Sequence, residues 1–292
     1  MRWLAIANPA AGSARAAEDL LIQLRGLAGV DTEMVRTTAP RDATRLARES
    51  ADFDGIIVIG GDGTIAEVLQ GMDLRRQRLA VLPAGHGNCL ARDLGVADPA
   101  RALVALQRGA CRPLDLMDVS ITFADGRVER RLCASTLAVG YVTDIVALGR
   151  LRLHWLGCAA YATAAMIVVP KKFELHVAES RATDRPRHCT GLVINNTAYL
   201  ANFRGLPDAS VHDGVLDVME QGCRWPRQLL HNVAVLAGSR AFGPLRLRQA
   251  ASALFELREP RTFMADGELL QAVMRVAAAC RPGAATCIVS SP

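Results

Sequence analysis

Lysine is almost absent from this chain. Of its 34 basic residues only Lys171 and Lys172 are lysines, which leaves arginine for all the others. Neither lysine follows a GxxxxG run, so there is no Walker A loop, and neither sits in a VAIK-like strand of the protein-kinase kind. Any phosphate chemistry must therefore work through a glycine loop that has no lysine. Zinc patterns are missing too. The eight cysteines, at 89, 111, 133, 158, 189, 223, 280 and 287, form no CxxC, and the six histidines are dispersed. That scatter suits reduced cytosolic thiols used as small hydrophobes. No secretory leader is expected, because Asn8-Pro9 ends the apolar opening too early for an h-region. No transmembrane segment is expected either. The longest apolar stretch, Trp155–Val169, is alanine-rich, broken by Gly157 and Thr163, and short of a full span.

What is present describes a folded chain. Its 292 residues are 51% hydrophobic and 22% charged, enough for one large domain or two ordinary ones. The formal charge of +5 suits an anionic partner such as a nucleotide or an acidic bilayer surface. The most informative stretch is Ile56–Gly71, IIVIGGDGTIAEVLQG. Ile56, Ile57, Val58 and Ile59 read as a strand buried on both faces, as in a parallel sheet. Thr64 and Glu67 have capping-box spacing, and Ile65, Val68, Leu69 and Met72 recur with helical period. Between strand and helix, Gly60, Gly61, Asp62 and Gly63 let backbone N–H groups and a helix N-terminus close on an anionic oxygen. Asp62 would repel a bare phosphate but suits one carrying Mg2+. A nucleotide triphosphate site at the carboxyl end of a strand follows.

The neighbouring segments build a cleft around that turn. Trp3–Ala7 reads as a strand ending in Asn8-Pro9-Ala10-Ala11-Gly12-Ser13, with a helix after it. Asp31–Thr37 is the next strand, and Thr38 leads to a helix through Ser50 with Asp42 as its N-cap. Leu79–Leu82 opens into a second glycine turn, Gly85-His86-Gly87-Asn88, and Gly95 ends the helix that follows. Asp98-Pro99 heads another helix, closed near Gly109. Strands alternate with helices, the mark of a parallel α/β domain. Beyond Leu116 the pattern becomes antiparallel β, with a hairpin at Ala124-Asp125-Gly126. Helices are expected there only near Trp155–Val169 and 226–240. The expected division is an α/β domain over 1–117, to which 285–292 can return, and a β-rich domain over 118–284.

With both glycine turns placed, the sequence resembles the diacylglycerol kinase catalytic family, which includes bacterial soluble lipid kinases and sphingosine and ceramide kinases. GGDGTIAEVLQG is similar to that family's GGDGTxNEVxNG, LPAGHGNCLARDLG to its LPxGTxNxxAxxLG, NPAAGSA to its NPxSG turn, and MADGE to its late DGE. NAD kinases and phosphofructokinases share the GGDG turn but not the second segment. The resemblance implies an ATP- and Mg2+-dependent lipid kinase with a phosphofructokinase- or NAD kinase-like nucleotide domain and a β-rich lipid-substrate domain. It implies that Gly60, Gly61, Asp62, Gly63, Thr64, Ile65 and Ala66 cradle the phosphates. Asn8, Gly12, Thr37, Thr38, Gly85, His86, Gly87 and Asn88 would also line the nucleotide. Asp62 and Glu268 would be catalytic, Glu268 as general base. Asp213 would hold a structural Mg2+ with the Ser210 and Val215 carbonyls.

Three departures from the family pattern stand out. Ala66 replaces an asparagine, His86 a threonine, and Tyr199–Gly205 a glycine-rich run. They bear on nucleotide affinity and lipid choice more than on reaction type. The expected partner is a lipid met transiently at a membrane surface, the inner face for a cytoplasmic protein, and not a nucleic acid. Arg150, Arg152, Lys171 and Lys172 flank the Trp155–Val169 stretch and could rest on anionic headgroups. A core helix with solvated charges at its ends is the preferred reading of that stretch. Two other functions compete: a catalytically silent nucleotide or lipid sensor, against which the retained Asp62 and Glu268 argue, and a kinase for a soluble acceptor such as NAD.

Overall fold

The structure, a computed structural model, describes every residue except 13, 86, 179–186, 201–203, 207, 223–224, 226, 237–245 and 291–292. Its first half alternates β1 (Arg2–Ala7), α1 (Ala14–Arg25), β2 (Asp31–Arg36), α2 (Asp42–Arg48), β3 (Gly55–Gly60), α3 (Asp62–Leu69) and β4 (Arg78–Pro83). These strands lie parallel in the order β4-β3-β1-β2. Ile56, Ile57, Val58 and Ile59 are fully buried in β3, as an unbroken β-branched run between two parallel neighbours requires. Two helices follow, α4 (Cys89–Asp93) and α5 (Pro99–Arg108). Asp98 caps α5 by accepting from the Arg101 N–H at 2.9 Å, and Gly109 closes it at φ 68°.

The second half is largely antiparallel. It runs through β5 (Cys111–Phe123), β6 (Val128–Cys133), β7 (Thr136–Gly140), α6 (Tyr141–Arg152), a 3-10 segment (His154–Ala159) and α7 (Ala160–Ile167). β8 (Phe173–Ala178), β9 (Arg187–Cys189), β10 (Gly191–Asn195), β11 (Leu216–Gln221), α8 (Arg227–Leu236), β12 (Arg246–Ala250), β13 (Ser252–Ala265) and β14 (Glu268–Ile288) complete it. Two long strands serve both halves. In β5, Leu114 and Leu116 pack in the first core, whereas Met117, Val119 and Ile121 pack in the second. β14 begins in the second core through Val273, Val276 and Ala278. It ends in the first through Cys287 and Ile288, where Thr286 and Cys287 pair in parallel with Arg78 and Leu79 of β4.

Several local expectations give way to tertiary packing. Arg41, at φ 65°, precedes α2, so Asp42 is that helix's first residue and not its cap. Thr64 and Glu67 form no capping box, because α3 begins earlier with Gly61 as its cap. The Trp155–Val169 stretch is not one helix, since Gly157 (φ 55°, ψ −125°) breaks it. Nor is it a core helix: Trp155, Ile167 and Val169 are exposed, with Leu151 beside them in sequence. The whole of α6 was unexpected. Its Val142, Thr143, Ile145 and Val146 are β-branched and carry no capping signal, so the helix is imposed by its packing. The short strands expected after 245 are pieces of β12, β13 and β14. His86, 201–203 of the Tyr199–Gly205 run, and 226 and 237–240 of the last expected helix lie outside the described residues.

Candidate active site

Three strand ends bring their turns to one place. After β1, Asn8 Oδ1 accepts from the Ala10 N–H at 3.0 Å, while Asn8 Nδ2 donates to the Thr64 hydroxyl in α3 at 3.0 Å. After β4, Asn88 accepts from the Gly85 N–H at 3.1 Å and donates to the Gly85 carbonyl at 2.8 Å. The turns touch backbone to backbone. A Cβ on Gly12 would stand 2.1 Å from the Ala84 carbonyl oxygen, and one on Gly85 2.5 Å from the Gly61 Cα. Packing alone therefore demands glycine at both. Gly63 is different, because a Cβ there would meet no atom within 4 Å. Open space therefore lies over Gly63 at the N-terminus of α3, the end of a helix that favours an anion.

Asp62 reaches across this junction. Its carboxylate accepts from the Cys89 and Leu90 N–H groups at 3.0 and 3.2 Å, at the head of α4. Burial pushes its pKa up against those bonds. Two more carboxylates share the field. Burial pushes Asp93 up to about 6, although the Ala198 N–H donates to it at 2.9 Å. Burial pushes Asp266 up to about 6 as well, against the N–H groups of Ala134, Ser135 and Thr136 at 2.7, 2.9 and 2.9 Å. The Asp62 charge adds to both shifts. Buried carboxylates within reach of the Asp62 charge in this way favour a cation beside them.

Asp266 and Gly267, both left-handed at φ 45° and 85°, turn β13 into β14 and make Glu268 the first residue of the return strand. Glu268 is exposed and pairs with Arg131 of β6, Nη1 to Oε2 at 2.7 Å, and Glu129 holds the rest of that guanidinium. Gln70, the C-cap of α3, brackets the next backbone unit of β6, donating to the Leu132 carbonyl at 2.8 Å and accepting from its N–H at 3.0 Å. The end of α3 and the strand that carries Arg131 are thereby tied.

These groups face one cavity of about 2110 Å³. Asn8, Gly12, Gly61, Asp62 and Gly63 line it, as do Thr64, Ala66, Gly85, Gly87 and Glu268. Other expected residues serve the scaffold. Gly60 ends β3, where a Cβ would strike Thr64, and Ile65 is buried in the core. Asn88 closes its own turn. Thr37 and Thr38 do not line the cavity: Thr37 is buried and bonded to the Ala7 carbonyl, and Thr38 donates its N–H and hydroxyl to Asp42. The cationic lining was missed by motif reasoning. Arg41, Arg45 and Arg48 reach it from the α2 side, and Arg131 and Arg150 from the other. The replacement of lysine by arginine throughout the chain was its signal.

Ser210, Asp213 and Val215 stand apart from the cavity. Asp213 Oδ1 accepts from the Val215 N–H at 3.1 Å, and the buried Asp115 beneath accepts from Gly214 and Gly283 at 2.7 Å each. Among the described residues no three His, Cys, Asp or Glu side chains converge as a ready metal cage. Among them, too, no helix is long and apolar enough to cross a membrane.

Comparison with known proteins gives this geometry relatives. Residues 2–119 match the family model described as diacylglycerol kinase catalytic domain. A diacylglycerol kinase of Bacillus subtilis is 31% identical over 204 residues, covering 66% of this chain and 63% of that protein. The match thus spans less than two thirds of the curated relative's length. In fold, a diacylglycerol kinase from Bacillus anthracis superposes with TM-score 0.77 at 22% identity, covering 99% of this chain and 96% of the other. An NAD kinase from Archaeoglobus fulgidus, solved in complex with ATP, superposes with TM-score 0.53 at 13% identity, covering 100% and 94%. The fold is therefore that of the diacylglycerol kinases and NAD kinases, and it is residues 2–119 of this chain that are similar to the diacylglycerol kinase catalytic domain.

Proposed function

We propose that this chain is an ATP-dependent lipid kinase, with the glycine turns as nucleotide site and Glu268 as general base toward a lipid hydroxyl. The observation that carries the reading is the shared cavity. Gly12, Gly61, Gly63 and Gly85 stand at one end of it and Glu268 beside them, and the same space continues beneath α6, α7 and α8 along apolar side chains such as Val142, Val146 and Met264. Phosphoryl transfer needs positioning, charge neutralisation and a carboxylate that takes the attacking hydroxyl's proton. The N–H groups of the turns and the head of α3 would hold the phosphates, and Arg41, Arg45 and Arg131 would balance their charge in place of a lysine. Mg2+, when bound, supplies further neutralisation. The buried Asp62, with Asp93 and Asp266 behind it, has the chemistry to favour it. Arg131 would hold Glu268 toward the acceptor.

The Asp213 loop fits a second cation through its exposed carboxylate. The neighbouring Asp217 is raised by burial and by the Asp213 charge, a repulsion that Mg2+ with the Ser210 and Val215 carbonyls would relieve. We divide the chain functionally at 117/118, with 285–292 returning to the nucleotide part. The exposed Leu151, Trp155, Ile167 and Val169, flanked by Arg152, Lys171 and Lys172, would meet an anionic bilayer in transient peripheral contact. The test is transfer of γ-labelled phosphate from MgATP into mixed lipid vesicles. Label in a lipid with the wild type but not with Glu268→Gln supports the reading. ATP binding without transfer to diacylglycerols, ceramides, sphingoid bases or glycolipids would favour the silent sensor.

A further inference from the structure

The far end of the cavity has a chemistry that phosphate transfer does not use. Its floor is a sheet face on which Met264, Ala138, Val193 and Met219 are successive cross-strand partners through β13, β7, β10 and β11, forming one buried apolar row. Two residues further along, on the same face, the row becomes Gly140, Gly191 and Gln221. Here the lining turns polar. The Tyr141 hydroxyl donates to the Ala165 carbonyl at 2.9 Å. The Asn232 amide donates to that carbonyl and to the Tyr141 oxygen at 2.6 Å each, and Gln228 donates to Asn232 Oδ1 at 3.1 Å. This network ties α6, α7 and α8 together and explains three of the four polar side chains.

Gln221 is the one it does not explain. It is 9% exposed, lines the cavity, and lies across Gly191, where a Cβ would stand 2.4 Å from its Oε1. That oxygen is buried and has no hydrogen-bond partner. A buried amide left incomplete destabilises the fold, whereas leucine of similar size would not. Its position along the cavity is also informative. Asp266 accepts from Thr136 at one end of β7, and Gly140, the row of Gln221, is at the other. At the rise of an extended strand these rows are about 13 Å apart. An acceptor whose hydroxyl reacts beside Glu268 would therefore bring its tail, not its head, to Gln221.

We propose that Gln221 is a specificity-determining residue of the acceptor pocket, recognising a hydroxyl group carried on the tail of the lipid. The inference rests on the lipid-kinase reading above. A half-turn of the amide exchanges its donor and acceptor, so it can pair with a hydroxyl in either sense, while an unsubstituted hydrocarbon chain satisfies neither. Gly191 leaves the floor free of a side chain where the amide lies.

The experiment compares two diacylglycerols, one with plain acyl chains and one with a mid-chain hydroxyl, as substrates for wild type, Gln221→Leu and Glu268→Gln. Wild type should favour the hydroxylated lipid by about tenfold in kcat/KM, the worth of one neutral hydrogen bond. In Gln221→Leu that ratio should fall toward one, through a higher KM for the hydroxylated lipid. The Gln221→Leu protein alone should unfold at higher denaturant than wild type, since an orphaned amide has gone. Equal use of the two lipids by wild type, or an undiminished preference in Gln221→Leu, would overturn the inference. If neither lipid is phosphorylated by wild type, diacylglycerol fails as the acceptor, whatever the role of Gln221. The thermal shift induced by each lipid then tests Gln221: a larger shift with the hydroxylated lipid, lost in Gln221→Leu, supports it, and equal shifts overturn it.

Discussion

Gly63→Ala isolates what a nucleotide would do from what the fold requires. Gly12, Gly61 and Gly85 are held by their own neighbours, but a Cβ on Gly63 meets nothing within 4 Å and the residue has no left-handed φ. Gly63 is the second residue of α3, so alanine there should stabilise the empty protein, by about 0.5–1 kcal/mol from backbone entropy and helix propensity. A phosphate seated on the head of α3 would occupy the space that the new methyl enters. Displacing it by about 1 Å is enough to cost roughly 100-fold in a positioned reaction. Affinity for MgATP should fall at least tenfold, or about 1.4 kcal/mol. Urea unfolding and calorimetric titration with MgATP read the two effects on one sample. Higher stability with unchanged ATP affinity would refute phosphate binding at this helix end. Lower stability would refute the open-space argument itself. Gly85→Ala is the opposite control, because its Cβ would lie 2.5 Å from the Gly61 Cα. It should lose about 1–3 kcal/mol of stability through overpacking before any ligand is added.

Other perturbations test the remaining parts. Asp266 has its carboxyl raised from 3.8 to about 6 by burial, so its contribution is fully present below pH 3.8 and is lost as pH rises through about 6. That loss is about 3 kcal/mol; the difference in urea midpoint between wild type and Asp266→Asn should change over this window, and a constant difference would contradict it. Arg131→Leu releases Glu268 from the ion pair that holds it, so kcat should fall about tenfold with KM for MgATP little changed, and Arg131→Lys should restore most of it; an unchanged kcat would separate Arg131 from the base. Trp155→Ser with Leu151→Ser should weaken co-sedimentation with phosphatidylglycerol vesicles at least tenfold, given about 1.5–3 kcal/mol for each large apolar side chain buried; unchanged sedimentation would remove the membrane role of this patch.

The first half of the chain was legible because its signals are local. A β-branched run, a glycine turn and a helical period each specify the chain over a few residues, and β3, α3, β4 and α5 follow from them. The second half depends on contacts distant in sequence. α6 begins where β7 ends, and no side-chain cap marks the change; Gly149 within it packs against Tyr161 of α7, a contact that no local pattern announces. β13 and β14 looked like several short strands because register shifts between Glu256 and Phe263, and between Arg281 and Ala285, interrupt their alternation. The same reasoning explains the site. Motif matching singled out Asp62 and Glu268, which line one cavity, but a motif has no coordinate for what packs against it. Asp266 looked like a turn residue, and it is one, yet its carboxyl ends beneath three N–H groups from Ala134 to Thr136, more than a hundred residues away. Gln221 carried no signal at all, since an isolated glutamine at a strand end is ordinary. Its significance lies in the Gly191 beneath it and the cavity before it, which exist only once β7, β10 and β11 are paired. A property set by such long-range contacts is the one that local sequence motifs are least able to specify.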